Sequence, residues 1–224
     1  MALLEIKNLS KNFYTPDGRL SAQINVPALQ LEAGESLVLN GVSGSGKTTV
    51  LHLISGLLKE DSGTIIFDGT NITNMPTAQR DFWRANNISY IFQRLNLLDE
   101  LTVLENILLP QCWCKGQNKE KVMRKAMDLL LQVGLADKSK CFPFTLSIGE
   151  QQRIAVVRAL MQQPKLLLAD EPTASLDAVN SRIIIGMLQQ MCREQQVALL
   201  LSTHDETIKK LFSKKYNLRG GCYE

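Results

Sequence analysis

The chain has 224 residues, of which 45% are hydrophobic and 21% charged, enough for one core of ordinary size without a disulfide or metal staple. A formal net charge of +3 is too small to point to nucleic acid, and no nucleic-acid partner is expected. Five cysteines, Cys112, Cys114, Cys141, Cys192 and Cys222, are odd in number and lack C-x-x-C spacing, which excludes a disulfide framework and a zinc ribbon and fits reduced thiols in a cytoplasmic chain. Cys112 and Cys114, which flank Trp113, read as hydrophobic filler rather than ligands.

The first residues run straight into an alternating strand pattern, with no basic region and no apolar core of a signal peptide. Residues 4–31 and 63–71 read as short strands with turns, an antiparallel flank. Residues 35–40 (ESLVLN) form an apolar run before a glycine-rich loop, and a helix is predicted over 47–58. His52 reads as part of the packing of that helix. From about residue 94 to 140 the chain is expected to be mostly helical. Val122, Ala126, Leu129, Leu130 and Val133 recur at helical spacing, and Gly134 is a plausible stop.

Further helices are predicted over 149–162 and 178–194. Between and after them lie the continuous apolar runs 165–170 (KLLLAD) and 197–202 (VALLLS). Such runs belong to central strands of a parallel sheet covered on both faces. None approaches the ~20 residues that span a bilayer. The expectation is an α/β fold with a mostly parallel sheet, an antiparallel β flank and an inserted helical lobe. Each motif below occurs once.

Gly41-Val42-Ser43-Gly44-Ser45-Gly46-Lys47-Thr48, followed by Thr49, fits G-x-x-x-x-G-K-[ST] between a strand and a helix. Glycines let the backbone curl so that its N–H groups face phosphate oxygens, and the helix N-terminus adds positive potential. Lys47 can reach the β and γ phosphates, and the Thr48 hydroxyl can ligate Mg²⁺. Residues 166–171 (LLLADE) end an apolar strand in two carboxylates. Asp170 suits Mg²⁺ held through water, and Glu171 suits an attacking water. Neighbouring strand residues point to opposite faces, so the two can hold different roles.

Five further segments then line up in order, and the chain resembles the ABC-type ATPases over nearly its whole length. Tyr90-Ile91-Phe92-Gln93 is similar to the family's Q-loop, and Leu146-Ser147-Ile148-Gly149-Glu150-Gln151-Gln152-Arg153 to its signature motif. Asp170-Glu171-Pro172-Thr173 with Ala174-Ser175-Leu176-Asp177 is similar to the acidic strand and D-loop, and Ser202-Thr203-His204-Asp205 to the switch-histidine loop. Phe13 lies where the family places an aromatic that stacks on adenine, with Tyr14 as the neighbouring candidate.

The resemblance implies a P-loop NTPase core that forms one domain. Residues 1–92 and 162–224 would be the α/β core with its flank, and about 93–161 the helical subdomain. It implies ATP and Mg²⁺ as cofactors. Catalytic roles fall to Glu171, His204, Gln93 and Lys47, metal contacts to Thr48, Gln93 and Asp170, and phosphate contacts to Ser147, Gly149 and Glu150 of a second copy. That second copy completes each site, so an ATP-dependent homodimer is implied, working with separate integral membrane permease subunits on the cytoplasmic face of the inner membrane. Residues 94–105 after Gln93 are the implied docking region. The pattern over 94–110 is similar to subunits that drive lipoprotein release or macrolide export. A cell-division-type signalling ATPase and a soluble non-transport ABC ATPase are the alternatives.

Two positions depart from the family pattern. Ile148 stands where a glycine is common, so a helical or extended backbone is expected there. Glu150 stands where glutamine is usual, which adds a negative charge that is favourable only at a helix N-terminus or pointed away from phosphate.

Overall fold

The computed structural model describes residues 2–113 and 118–223, with side chains omitted for Cys112 and Trp113. The reading of Cys112 and Cys114 as filler therefore lies outside the described residues. Cys141, Cys192 and Cys222 are free thiols.

The elements in chain order are β1 (Ala2–Tyr14), β2 (Leu20–Glu32), β3 (Ser36–Asn40), α1 (Lys47–Ile54), β4 (Ser62–Phe67), β5 (Thr70–Asn71), α2 (Thr77–Asn87) and β6 (Ile88–Ile91). Then follow α3 (Val103–Leu108), α4 (Lys119–Gln132), α5 (Ile148–Leu160), β7 (Leu166–Asp170), α6 (Ala178–Glu194), β8 (Ala198–Thr203), α7 (Glu206–Lys209), β9 (Lys214–Asn217) and β10 (Cys222–Tyr223). One sheet has the order β10-β9-β3-β8-β7-β6, in which all pairs are parallel except β10 with β9. The other is an antiparallel sheet of order β2-β1-β4-β5. The α/β class, the mostly parallel sheet and the antiparallel flank are as the sequence pattern predicts.

The flank differs in one respect. Its first part is a hairpin of two 13-residue strands, not a set of short strands. Leu4, Ile6 and Leu9 of β1 and Val26, Leu29 and Leu31 of β2 are fully buried, and the pairing keeps one register from Leu4 to Phe13 with a shift at each end. Pro27 is tolerated inside β2 because that strand is the sheet edge.

The central strands are buried throughout. Their two faces feed two cores. Leu37, Leu39, Leu166, Leu168, Ala198 and Leu200 pack toward α1 and the β flank, whereas Val38, Leu167, Leu199 and Leu201 pack toward α5 and α6. Along α4, Ala126, Leu129, Leu130 and Val133 are buried with Ile154 and Val157 of α5, and Val122 packs partly against them. This is the helical spacing predicted. The stretch before α4 is less helical than expected. Residues 94–102 form a loop in which the Asn106 side chain takes the Leu98 N–H and donates to the Leu98, Leu101 and Thr102 carbonyls. A buried amide here replaces the helical ladder. Helix α1 stops at Ile54, short of the predicted residue 58, because Gly56 turns the chain left-handed at φ 68°.

Candidate nucleotide site

The site begins where buried β3 ends. Residues 41–46 turn into α1 through Gly44 at φ 74° and Gly46 at φ 92°. The left-handed backbone at Gly46 demands glycine, and a Cβ there would also have to push aside the end of the Ile24 side chain. No side chain caps α1 and no acid lies in its first turn. Helices α4, α5 and α6 are instead capped by Asn118, Ser147 and Asp177. The first amides of α1 therefore stay free for an anion.

Lys47 is buried at 6% exposure. Its Nζ donates to the Gly41 carbonyl at 2.8 Å and the Val42 carbonyl at 3.3 Å, and lies 3.4 Å from Glu171 Oε1. The ammonium is thus surrounded by oxygens inside the loop. Ser45 Oγ is buried there with no hydrogen-bond partner, a hydroxyl left for a group the loop would hold.

The acidic pair is split as expected, through a specific backbone device. Asp170 ends β7 opposite Ser202 of β8, is 5% exposed, and accepts from Ser202 Oγ at 2.5 Å. Glu171 then takes φ 46°, left-handed for a non-glycine residue. Its N–H donates to the Ser202 carbonyl and to Ser202 Oγ, each at 3.1 Å, which pins that conformation. The Glu171 carboxylate faces Lys47 through Oε1 and His204 Nδ1 through Oε2, the latter at 2.9 Å. Beside Asp170, burial pushes the Tyr90 phenol well above its usual pKa.

Ser43, Gly44, Gly46, Lys47, Thr48, Thr49, Gln93, Glu171 and His204 line one cavity of about 350 Å³. Four chain segments converge there, and each is marked in the sequence. The other marked residues lie apart. Gly41 lines a neighbouring opening with His204, Asn217 and Arg219. Asp170 is buried behind Ser202. Phe13 packs partly against the core, and Tyr14, one residue on, is 63% exposed.

Ser147, Gly149 and Glu150 stand at the start of α5, outside that cavity. Ser147 Oγ accepts from the Glu150 N–H, and Glu150 Oε2 accepts from the Ser147 N–H at 2.8 Å, a reciprocal capping box. Ile148 is the first helical residue with no positive φ, and Glu150 sits at the helix N-terminus, as expected for both departures. A Cβ on Gly149 would meet nothing within 4 Å, so nothing within this chain requires glycine there. Two contributors escaped the sequence reading. Ser202 belongs to a motif in the sequence, but its role as the donor to Asp170 follows only from the fold. Arg158 of α5 donates to the carbonyls of Leu95 at 2.5 Å and Asn96 at 2.6 Å, tying that helix to the loop after Gln93.

Among the described residues no helix is long and apolar enough to cross a membrane. The family model for the ABC transporter matches residues 24–174. The lipoprotein-releasing system ATP-binding protein LolD of Syntrophus aciditrophicus is 36% identical over 219 residues, covering 98% of this chain and 97% of that protein. An uncharacterized ABC transporter ATP-binding protein of Mycobacterium tuberculosis is 39% identical over 219 residues, 98% of this chain and 88% of its own. Among solved structures, the dimeric cassette MJ0796 in a post-hydrolysis state with ADP and Pi superposes with a TM-score of 0.84 at 28% identity, covering 99% of this chain and 97% of that one. The chain belongs to the ABC transporter family, as one of its ATP-binding ATPase cassettes.

Proposed function

We propose that two copies of this chain close head to tail over two ATP molecules, and that hydrolysis reopens them to drive separate membrane permease subunits. One observation carries this reading. Lys47, Glu171 and His204 line one cavity of about 350 Å³, which the signature residues Ser147 and Gly149 of the same chain do not line. The site is incomplete within one chain, and a second copy related by two-fold symmetry completes both sites at once.

The resting contacts suggest how hydrolysis is gated. Lys47 neutralises Glu171 and is itself held by two loop carbonyls. A γ-phosphate entering the loop competes for that ammonium. As Lys47 turns to the phosphate, Glu171 Oε1 is released to accept a proton from water, while His204 holds Oε2 and fixes the carboxylate. Thr48 and Gln93 line the cavity and Asp170 lies behind it, so these are the residues that would hold Mg²⁺. That ion supplies neutralisation of the phosphate charge. Phe13 or Tyr14 at the tip of β1 would meet the adenine.

The chain works as one domain, with residues 1–92 and 162–224 as the α/β core and about 93–161 as the helical subdomain. The region 94–105 after Gln93 receives the membrane partner on the cytoplasmic face. Full-length likeness to LolD proteins favours lipoprotein release or related export work over a signalling or soluble non-transport role. The test is Glu171→Gln with ATP and Mg²⁺, read by light scattering. A stable dimer is expected, and a monomer at millimolar ATP would end the reading.

A further inference from the structure

We infer that Glu150 is a positioning residue that holds the Ser147 hydroxyl in reserve, so that closure over ATP requires a handover of that hydroxyl from Glu150 to phosphate. The inference rests on the sandwich reading above.

A serine hydroxyl has one proton to donate. Here Ser147 Oγ donates it to Glu150 Oε2 at 2.7 Å, and the same carboxylate oxygen takes the Ser147 N–H at 2.8 Å. The hydroxyl accepts the Glu150 N–H at 3.3 Å in return. The box is therefore closed on itself. A phosphate oxygen approaching this edge finds the helix amides of Ile148 and Gly149, but not a free hydroxyl donor.

The box is a capping device that this chain uses twice. Thr102 and Glu105 form the same one at the start of α3, with matching distances of 2.8, 2.7 and 3.3 Å. In both, the hydrogen bonds from the capping residue hold the glutamate pKa below its ordinary value. Glu150 thus presents a negative charge where a second copy would bring its most negative atoms. Lys138 and Arg153 offset part of that charge. Sterically the edge is open, since space beyond Gly149 is clear and Ile148 is 53% exposed. The obstacle is the occupied hydroxyl and the charge that occupies it. A glutamine at 150 keeps an acceptor oxygen for the Ser147 N–H but gives up the charge and the stronger grip on the hydroxyl.

The experiment measures the ATP concentration at half-dimerisation in the Glu171→Gln background. Adding Glu150→Gln is expected to lower it about tenfold, the scale set by one charge-assisted hydrogen bond. In a Ser147→Ala background the same change is expected to gain less than about threefold, because no hydroxyl is left to hand over. ATP affinity of the dilute monomer stays unchanged, which a general effect on folding would not produce. Glu105→Gln makes the same substitution in the α3 box and leaves the half-point unmoved. Equal gains with and without the serine would overturn the handover, as would no gain, a loss, or an equal response to Glu105→Gln. If the Glu171→Gln parent itself stays monomeric, the sandwich reading falls first and the handover with it.

Discussion

Replacing Ser202 by alanine isolates the contact that seats Asp170. Ser202 is fully buried on β8, and its hydroxyl donates to Asp170 Oδ1 at 2.5 Å while accepting from the Glu171 N–H at 3.1 Å. Alanine removes one oxygen, so the cavity left is too small to matter. The Glu171 N–H keeps the Ser202 backbone carbonyl at 3.1 Å. What remains is a buried carboxylate without its donor, which costs about 1.5–3 kcal/mol. For a chain of this length that corresponds to a fall in Tm of roughly 3–12 °C. The same loss loosens Asp170 as an outer support of the metal, so the Mg²⁺ concentration for half-maximal ATPase activity is expected to rise about 10–100-fold. Thermal unfolding by circular dichroism without nucleotide and a Mg²⁺ titration of activity read the two effects separately. A Tm within about 1 °C of the parent, with an unshifted Mg²⁺ titration, would refute the claim that Ser202 supports Asp170.

Lys47→Ala should weaken ATP binding by at least about 10–100-fold, since it deletes the buried ammonium's charge-assisted bonds; equal affinity in a fluorescent-nucleotide titration would remove Lys47 from the site. Arg158→Ala frees the Leu95 and Asn96 carbonyls, so hydrogen exchange over residues 94–98 should speed up and hydrolysis should slow, while ATP affinity holds within about twofold. Arg158→Lys should recover only part of the rate, because lysine cannot make the forked contact; full recovery would show that charge alone matters. The pH dependence of stability should follow the helix caps. Hydrogen bonds from Thr102, Ser147 and Thr207, and from the Asn180 amide, hold the carboxyls of Glu105, Glu150, Asp205 and Asp177 below their ordinary values. Lowered folded pKa values mean that this stabilisation is present above the unfolded values of 4.5 and 3.8 and is lost as pH falls through the folded ones. The urea midpoint should stay level from about pH 7 to 5 and drop below about 4.5. A variant with all four acids changed to amides should drop less, and an identical profile would sink the assignment.

Much of the architecture can be read along the chain because it depends on local pattern. The apolar runs read at 165–170 and 197–202 coincide with strands buried along their whole length, as central parallel strands require. The loop over 41–48 carries its own conformation in Gly44 and Gly46. Among the elements missed, which include α7, β9 and β10, α2 and β6 lack such signals. Helix α2 buries little besides Arg80, and β6 is four residues long and takes its identity from pairing with β7. Its residues make a strand only once β7 stands beside them.

The sequence by itself determined the parts: residue type and spacing mark the phosphate loop and the two carboxylates, and the family resemblance marks Gln93, His204 and the signature serine. Tertiary structure decided their relations. It pairs β7 with β8 so that Ser202 meets Asp170, turns Glu171 left-handed between Lys47 and His204, and leaves Ser147 outside the cavity. Spacing along a chain records periodicity and turn chemistry. Contacts between residues 30 or more positions apart follow from strand order and side-chain packing, and only the folded molecule brings those together.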